Sequence, residues 1–208
     1  MKSLLSWEHE QSVRQKGYRC VAGVDEAGRG CLAGPVVAGA VIFLDMSACP
    51  DGVNDSKKLS RASRKKLYET LTSHTSILCG VGVASVEEID QINILKASHL
   101  AMKRALEALS TPADFVLVDG LKVSLLGENH LALIGGDAIS PSIAAASIIA
   151  KEYRDRLMEQ FDAEYPQYGL ARHKGYGTAE HLEAIQLYGI SPLHRRSFAP
   201  VRQQTFAF

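Results

Sequence analysis

Four carboxylates stand where apolar, strand-like runs stop, and they restrict how this chain can fold. Asp25 and Glu26 end Cys20-Val21-Ala22-Gly23-Val24, Asp119 ends Phe115-Val116-Leu117-Val118, and Asp137 follows Leu131-Ala132-Leu133-Ile134 across two glycines. A carboxylate at the end of a buried strand is costly unless something positive sits beside it. Converging carboxylates also repel one another. A divalent cation relieves both penalties, and ligation by oxygen alone points to a hard ion such as Mg²⁺ or Mn²⁺. For any single one of these acids a loop turn is the simpler account, because Asp-Gly is a common turn pair.

The Asp25-Glu26 pair lies inside Gly23-Val24-Asp25-Glu26-Ala27-Gly28-Arg29-Gly30, an octapeptide that resembles the signature of bacterial ribonuclease HII, the type 2 ribonuclease H. The resemblance continues in Asn54-Asp55-Ser56-Lys57-Lys58-Leu59-Ser60, in Val118-Asp119-Gly120, and in Gly136-Asp137 with the run Ser142 to Lys151. It closes with His173-Lys174-Gly175-Tyr176-Gly177-Thr178 and His194-Arg195-Arg196-Ser197-Phe198. Cys31 stands where the family usually has proline and Gly135 where it often has lysine, so a cation is missing close to Asp137.

The resemblance implies an endonuclease that cleaves the RNA strand of RNA–DNA hybrids. It also implies incision 5′ to single ribonucleotides in duplex DNA, leaving 3′-hydroxyl and 5′-phosphate ends. Asp25 and Asp119 would be the central metal ligands, with Glu26 and Asp137 completing the sites. Gly28-Arg29-Gly30 would read the ribonucleotide, since glycines let the main chain approach a ribose 2′-hydroxyl, the group that separates RNA from DNA. Tyr176 would pack on the deoxyribose at its 3′ side; otherwise it is a surface aromatic. Lys57 and Lys58, between a turn and a helix start, are candidates to grip phosphates. Arg195 and Arg196 are placed likewise, or pair with an acid of the core. The competing accounts are another carboxylate-metal nuclease of the same fold and a hybrid-binding module without activity.

With 208 residues, 46% apolar and 22% charged, the chain can bury a substantial core. Its net charge of zero does not advertise a polyanion partner. The basic residues are clustered, however. Lys57, Lys58, Arg61, Arg64, Lys65 and Lys66 fall within ten residues without an acid, and Arg172, Lys174, Arg195, Arg196 and Arg202 follow near the end. Such cations can hold phosphates around an acidic centre; for Arg64 to Lys66 a solvated helix face is the plain alternative. The cysteines at 20, 31, 49 and 79 have no zinc spacing, and Cys20 and Cys79 read as small core residues. No leader or bilayer-spanning run is visible, so a reduced, cytoplasmic monomer is expected.

The patterning predicts a short helix within 1–16 and strands at Cys20–Val24, Val36–Leu44, Ile77–Ala84, Phe115–Asp119 and Leu131–Ile134. Ser60 caps a helix reaching about Ser73, with Leu67 and Leu71 inward. Ile92, Leu95, His99, Met102, Leu106 and Leu109 make a helical stripe, with His99 read as a core histidine. A long helix from about Ser142 to Tyr165 has Ala146, Ala150, Tyr153, Leu157 and Phe161 as its buried face and Ser147, Lys151 and Asp155 as a polar one. Asp155 is either an acid standing behind the metal ligands or, more simply, the helix-surface partner of Lys151 four residues away. Thr178 caps a helix over Ala179–Tyr188. The expected architecture is α/β: a ribonuclease H-like fold with a five-stranded mixed sheet flanked by helices (residues 1–165) and a dependent helical extension (166–208). Pro200 should end the folded body, and the tail Gln203-Gln204-Thr205-Phe206-Ala207-Phe208 looks like a docking peptide for a replication sliding clamp. Alternatively, Phe206 and Phe208 fold back on the extension.

Overall fold

The computed structural model describes residues 5–204. Helix α1 (Glu8–Gln15) leads into strands β1 (Val21–Ala27) and β2 (Val36–Phe43), followed by α2 (Arg61–Ser73) and β3 (Ile77–Ala84). Helix α3 (Val86–Glu107), strands β4 (Phe115–Asp119) and β5 (His130–Leu133), and helix α4 (Pro141–Glu164) complete the sheet and the helices that cover it. The sheet order is β3-β2-β1-β4-β5; β2 runs antiparallel to β1 and β3, while β4 and β5 run parallel to β1.

Every residue of β2 is buried because helices cover both faces of the sheet. Val36, Ala38, Ala40 and Ile42 pack toward α3, whereas Val41 and Phe43 pack toward α2 and α4, which is the period-two alternation of a strand. The helices lie unusually close. A Cβ on Gly82 would stand 2.1 Å from the Ala101 carbonyl oxygen, and one on Gly39 would stand 2.4 Å from that of Ala146. Glycine on the strand and alanine on the helix therefore form one close contact.

The predicted stripe on α3 holds in part: Met102 and Leu109 are buried, with Ile92 and Leu106 packed against the same core. Asn93 has φ 68° and kinks α3, and its Oδ1 accepts from the Leu95 and Lys96 N–H groups to cap the second segment. Beyond the kink Ala97, Ser98, Ala101, Met102 and Ala105 face the sheet. Leu95 is 47% exposed and His99 only half-buried, so His99 is not a core residue. Opposite the β3 glycines the helix presents Ala101 and Ala105, with Met102 and Leu109 of the stripe buried beside them.

Two further expectations change. Strand β1 continues through Asp25 and Glu26 to Ala27, because pairing with β2 persists at Asp25↔Gly39 and Glu26↔Ala38. In the second half of α4 the buried residues are Glu152, Arg154, Asp155 and Met158, and Tyr153 and Leu157 are only half-buried. Arg64 is likewise buried, not part of a solvated face, whereas Lys65 and Lys66 are exposed. Cys20 and Cys79 are half-buried, and Cys31 is fully buried.

After α4 the chain forms α5 (Leu170–His173), α6 (Ala179–Tyr188, capped by Thr178) and α7 (Ala199–Gln204). Their apolar side chains share clusters with Leu32, Ala33 and Met158. Pro200 does not end the folded body: it lies in α7, and Val201 is fully buried with Leu32 and Ile185. The tail residues Thr205 to Phe208 lie outside the described residues. Among the described residues, no helix is long and apolar enough to cross a membrane.

Candidate metal centre and substrate cleft

Parallel pairing of β1 with β4 sets Val24 beside Val118, so the next residues, Asp25 and Asp119, leave adjacent strands side by side. Asp137 reaches them from a 3₁₀ turn, Gly136–Ala138, entered through left-handed Gly135. The turn is tied to the strand by the Gly136 N–H, which donates to Asp119 Oδ1 at 2.7 Å. One carboxylate oxygen from each of Asp25, Asp119 and Asp137 lies within 4.8 Å of the others.

The protein neutralises this cluster only in part. Burial first, then the Glu26 and Asp119 charges, raise Asp25 well above the ordinary carboxylate range. Burial and then Asp119 raise Asp137 as well. The compensating cation is Lys57, whose Nζ is 3.5 Å from Asp137 Oδ2. Burial opposes the Lys57 charge, but Asp137, Asp25 and Asp55 outweigh it and raise its pKa. Lys57 thus supplies the positive charge near Asp137 that Gly135 does not. Three oxygen donors under mutual repulsion fit a hard divalent cation. Asp25, Asp119 and Asp137 are the residues that would hold it.

Glu26 shares the cleft but is not in this cluster; its Oε1 accepts from Arg29 Nη1 at 2.9 Å. Gly28, Arg29, Gly30, Lys57 and Tyr176 line the same cleft, with Tyr176 46% exposed. Lys58 lies apart, beside Asp55 at 3.6 Å. Arg195 is buried and grips main-chain carbonyls, so it is placed neither to hold phosphate nor to pair with an acid. Arg196 is exposed, and its main-chain N–H donates to Asp90.

Two cleft residues were missed. Lys151 and Ser56 line it. Asp155, the supposed surface partner of Lys151, is buried; it receives Lys151 Nζ at 2.5 Å and Arg64 Nη2 at 3.1 Å. Ser147 Oγ accepts from the Ser56 N–H at 3.2 Å. The four-residue polar spacing of Ser147, Lys151 and Asp155 on an otherwise apolar helix was the available signal.

A family profile for ribonuclease HII matches residues 22–201. The chain belongs to the ribonuclease HII family. It is 54% identical over 194 residues to ribonuclease HII of Chlamydia trachomatis serovar A, covering 93% of this chain and 88% of that one. The fold is similar to ribonuclease H2 of Pyrococcus horikoshii OT3 (TM-score 0.73, 29% identity, 88% of this chain and 96% of that one). It is also similar to ribonuclease HII of Archaeoglobus fulgidus, solved as a complex with PCNA (TM-score 0.71, 28% identity, 86% and 95%). As a ribonuclease HII the chain is a hydrolase, an endonuclease with ribonuclease H activity on RNA–DNA hybrids.

Behind Tyr176 the ribonuclease HII extension holds three histidines. The Ser191 N–H donates to His194 Nδ1 at 2.9 Å, and His181 Nδ1 lies 2.9 Å from the Tyr176 carbonyl, which can only accept. His194 Nε2–H must therefore donate to His181 Nε2, 3.1 Å away, and both rings are neutral. Burial and then His181 push His194 down to about 4. The unfolded chain binds this proton below its ordinary value, whereas the folded chain resists until about 4. Stability is therefore complete above the ordinary value and falls as pH drops toward 4, by on the order of 3 kcal/mol. Melting temperatures across that window should fall more steeply for the natural protein than for His194→Asn, which keeps an acceptor for Ser191. Parallel slopes would contradict this assignment.

Proposed function

We propose that this ribonuclease HII cuts 5′ to single ribonucleotides embedded in duplex DNA as well as within RNA–DNA hybrids, leaving 3′-hydroxyl and 5′-phosphate ends. The observation that carries the reading is the meeting of three carboxylates within 4.8 Å, beside a cleft lined by Gly28-Arg29-Gly30 and Tyr176. When bound there, two Mg²⁺ or Mn²⁺ ions supply an activated water and a stabilised leaving oxygen. Asp25, Asp119 and Asp137 hold the ions, and Glu26 adds the fourth negative charge. Lys57 and Lys151 attract the backbone phosphates of the duplex. The exposed Arg29-Gly30 main chain meets the 2′-hydroxyl, and the Tyr176 ring packs against the following deoxyribose. No side chain is a covalent nucleophile. Residues 1–165 are the catalytic core and 166–208 a dependent extension, acting as a cytoplasmic monomer.

Metal titration on a duplex carrying one ribonucleotide tests the reading. Cleavage should appear with Mg²⁺ or Mn²⁺ and be absent with EDTA. It should fail with Ca²⁺, which takes more ligands at longer distances. Full activity in EDTA would sink the mechanism. Tyr176→Ala should cost about 1–3 kcal/mol of transition-state stabilisation on a lone ribonucleotide, by analogy with base–aromatic stacking, and less on a long hybrid. Equal losses on the two substrates would make Tyr176 a packing residue only.

A clamp partner for the tail is supported by the Archaeoglobus relative, which was solved with PCNA. Deleting residues 205–208 should leave cleavage of short duplexes unchanged and abolish binding to the cognate clamp. Clamp binding that survives the deletion would retire the tail as its docking segment.

A further inference from the structure

Two arginines are buried without an acid. Arg154 is 1% exposed and Arg195 fully buried, and neither has a carboxylate within ion-pair distance among the described residues. An unpaired buried cation is costly, so all its donors must find acceptors. Here every acceptor is a main-chain carbonyl. Arg154 Nε, Nη1 and Nη2 donate to Pro35, Lys174 and Ala33 at 2.9, 2.9 and 3.0 Å. Arg195 Nε and Nη1 donate to Gly34 and Arg29 at 2.9 Å, and Nη2 donates to Gly28 at 2.7 Å and Pro35 at 3.2 Å.

These carbonyls come from two places only: the loop from Gly28 to Pro35 and the turn that precedes Tyr176. The same two segments are joined directly, since the Leu32 N–H donates to the Gly175 carbonyl at 2.8 Å. Gly28 is required for the fit, because a Cβ there would lie 2.1 Å from Arg154 Nε. With the loop carbonyls of Gly28 and Arg29 engaged inward, the Arg29 and Gly30 N–H groups have no acceptor among the described residues. Burial and then the nearby Arg154 charge push Arg195 down to about 10.

We propose that Arg154 and Arg195 are positioning residues: a two-guanidinium clamp that locks the Gly28-Arg29-Gly30 loop and the Tyr176 turn into one rigid surface for reading the ribonucleotide. The clamp rests on the reading above, that this loop meets the 2′-hydroxyl. Its purpose explains the choice of arginine. A planar fork satisfies several carbonyls in fixed directions, and lysine, a point charge on a flexible stem, does not. A rigid loop holds its free N–H groups where the ribose arrives, and displacement by about 1 Å costs about 10²-fold in rate.

The test compares Arg154→Lys and Arg195→Lys with the natural protein on two duplexes, one with a single ribonucleotide and one with a 2′-fluoro nucleotide at that position. Metal-induced stabilisation, read as the Tm shift with Mn²⁺, should match the natural protein and show that the acidic centre is intact. The clamp predicts a drop of about 10²-fold in kcat on the ribonucleotide, a smaller drop on the 2′-fluoro duplex, and hence a collapsed preference ratio. An unchanged ratio in a folded variant overturns the clamp. Absence of 2′-hydroxyl preference in the natural protein instead overturns the loop reading and leaves the arginines out of it. If neither variant folds, amide hydrogen exchange on the natural protein decides. Leu32, Ala33 and Gly34 should open together with Gly175 and Tyr176, and independent opening of the two segments refutes a shared clamp.

Discussion

Asp25→Asn should abolish cleavage and, in metal-free buffer at neutral pH, raise the melting temperature. Asparagine keeps the size of the side chain and an oxygen for the Glu26 N–H, which now donates to Asp25 Oδ1 at 2.7 Å. It removes a charge that the fold resists. Burial, then Glu26 and Asp119, hold the Asp25 carboxyl well above its ordinary range. Below the ordinary carboxylate value, folded and unfolded chains both keep this proton. Above it the unfolded chain releases the proton while the folded chain retains it, so stability is lost as pH rises through the folded value. The variant does not pay that cost. Divalent metal should reverse the order. At about 100 times its dissociation constant the ion adds about 2.7 kcal/mol to the protein that binds it, and the variant lacks a ligand. Cleavage should fall by at least about 10³-fold, comparable to losing an essential charge-stabilising group. Calorimetry in EDTA and in Mn²⁺, with a cleavage assay, measures all three. A natural protein more stable than the variant in EDTA, or wild-type turnover by the variant in Mg²⁺, would refute the acidic-centre argument.

Arg64→Met should be strongly destabilising, lowering Tm by about 10 °C. Arg64 is 8% exposed, and its Nη2 lies 3.1 Å from Asp155 Oδ2. Its Nε is 3.6 Å from Glu152 Oε2, an ion pair without a hydrogen bond. Nη1 donates to the Ser56 carbonyl at 3.2 Å, on the loop that carries Lys57 to Asp137. Methionine fills the space but strands two buried acids. Breaking a buried pair costs about 3–5 kcal/mol, and Lys151 on Asp155 and Arg156 on Glu152 hold the loss near the lower figure. For a chain of this size about 3 kcal/mol corresponds to roughly 6–12 °C. Lys65→Met, at an exposed neighbour, should change stability by less than about 0.5 kcal/mol. Equal effects from the two substitutions would return Arg64 to the solvated face that its sequence neighbours suggested.

That pair of substitutions marks where sequence reasoning stops. Ser60 and Thr178 are helix caps as predicted, because capping depends only on residues within one turn. Strand β3 spans the predicted Ile77–Ala84 because apolar, β-branched runs report burial directly. Asp25, Asp119 and Asp137 were legible as a set because the chain repeats one arrangement, an acid past an apolar strand. The kink at Asn93 was not legible, since the apolar stripe at helical spacing runs straight through it and only the backbone shows its φ of 68°.

What the sequence determined by itself was therefore local or repetitive: the five-stranded mixed sheet with its helices, the family, and the carboxylates that converge. Only the tertiary structure decided which cations are inside. Arg64 meets Asp155 across 91 residues, and Arg195 meets the Gly28 carbonyl across 167. An arginine among polar neighbours looks the same in sequence whether water or a distant carbonyl accepts its hydrogen bonds. The free energy of a buried guanidinium depends on those acceptors. Here folding of the chain alone brings them to Arg154 and Arg195.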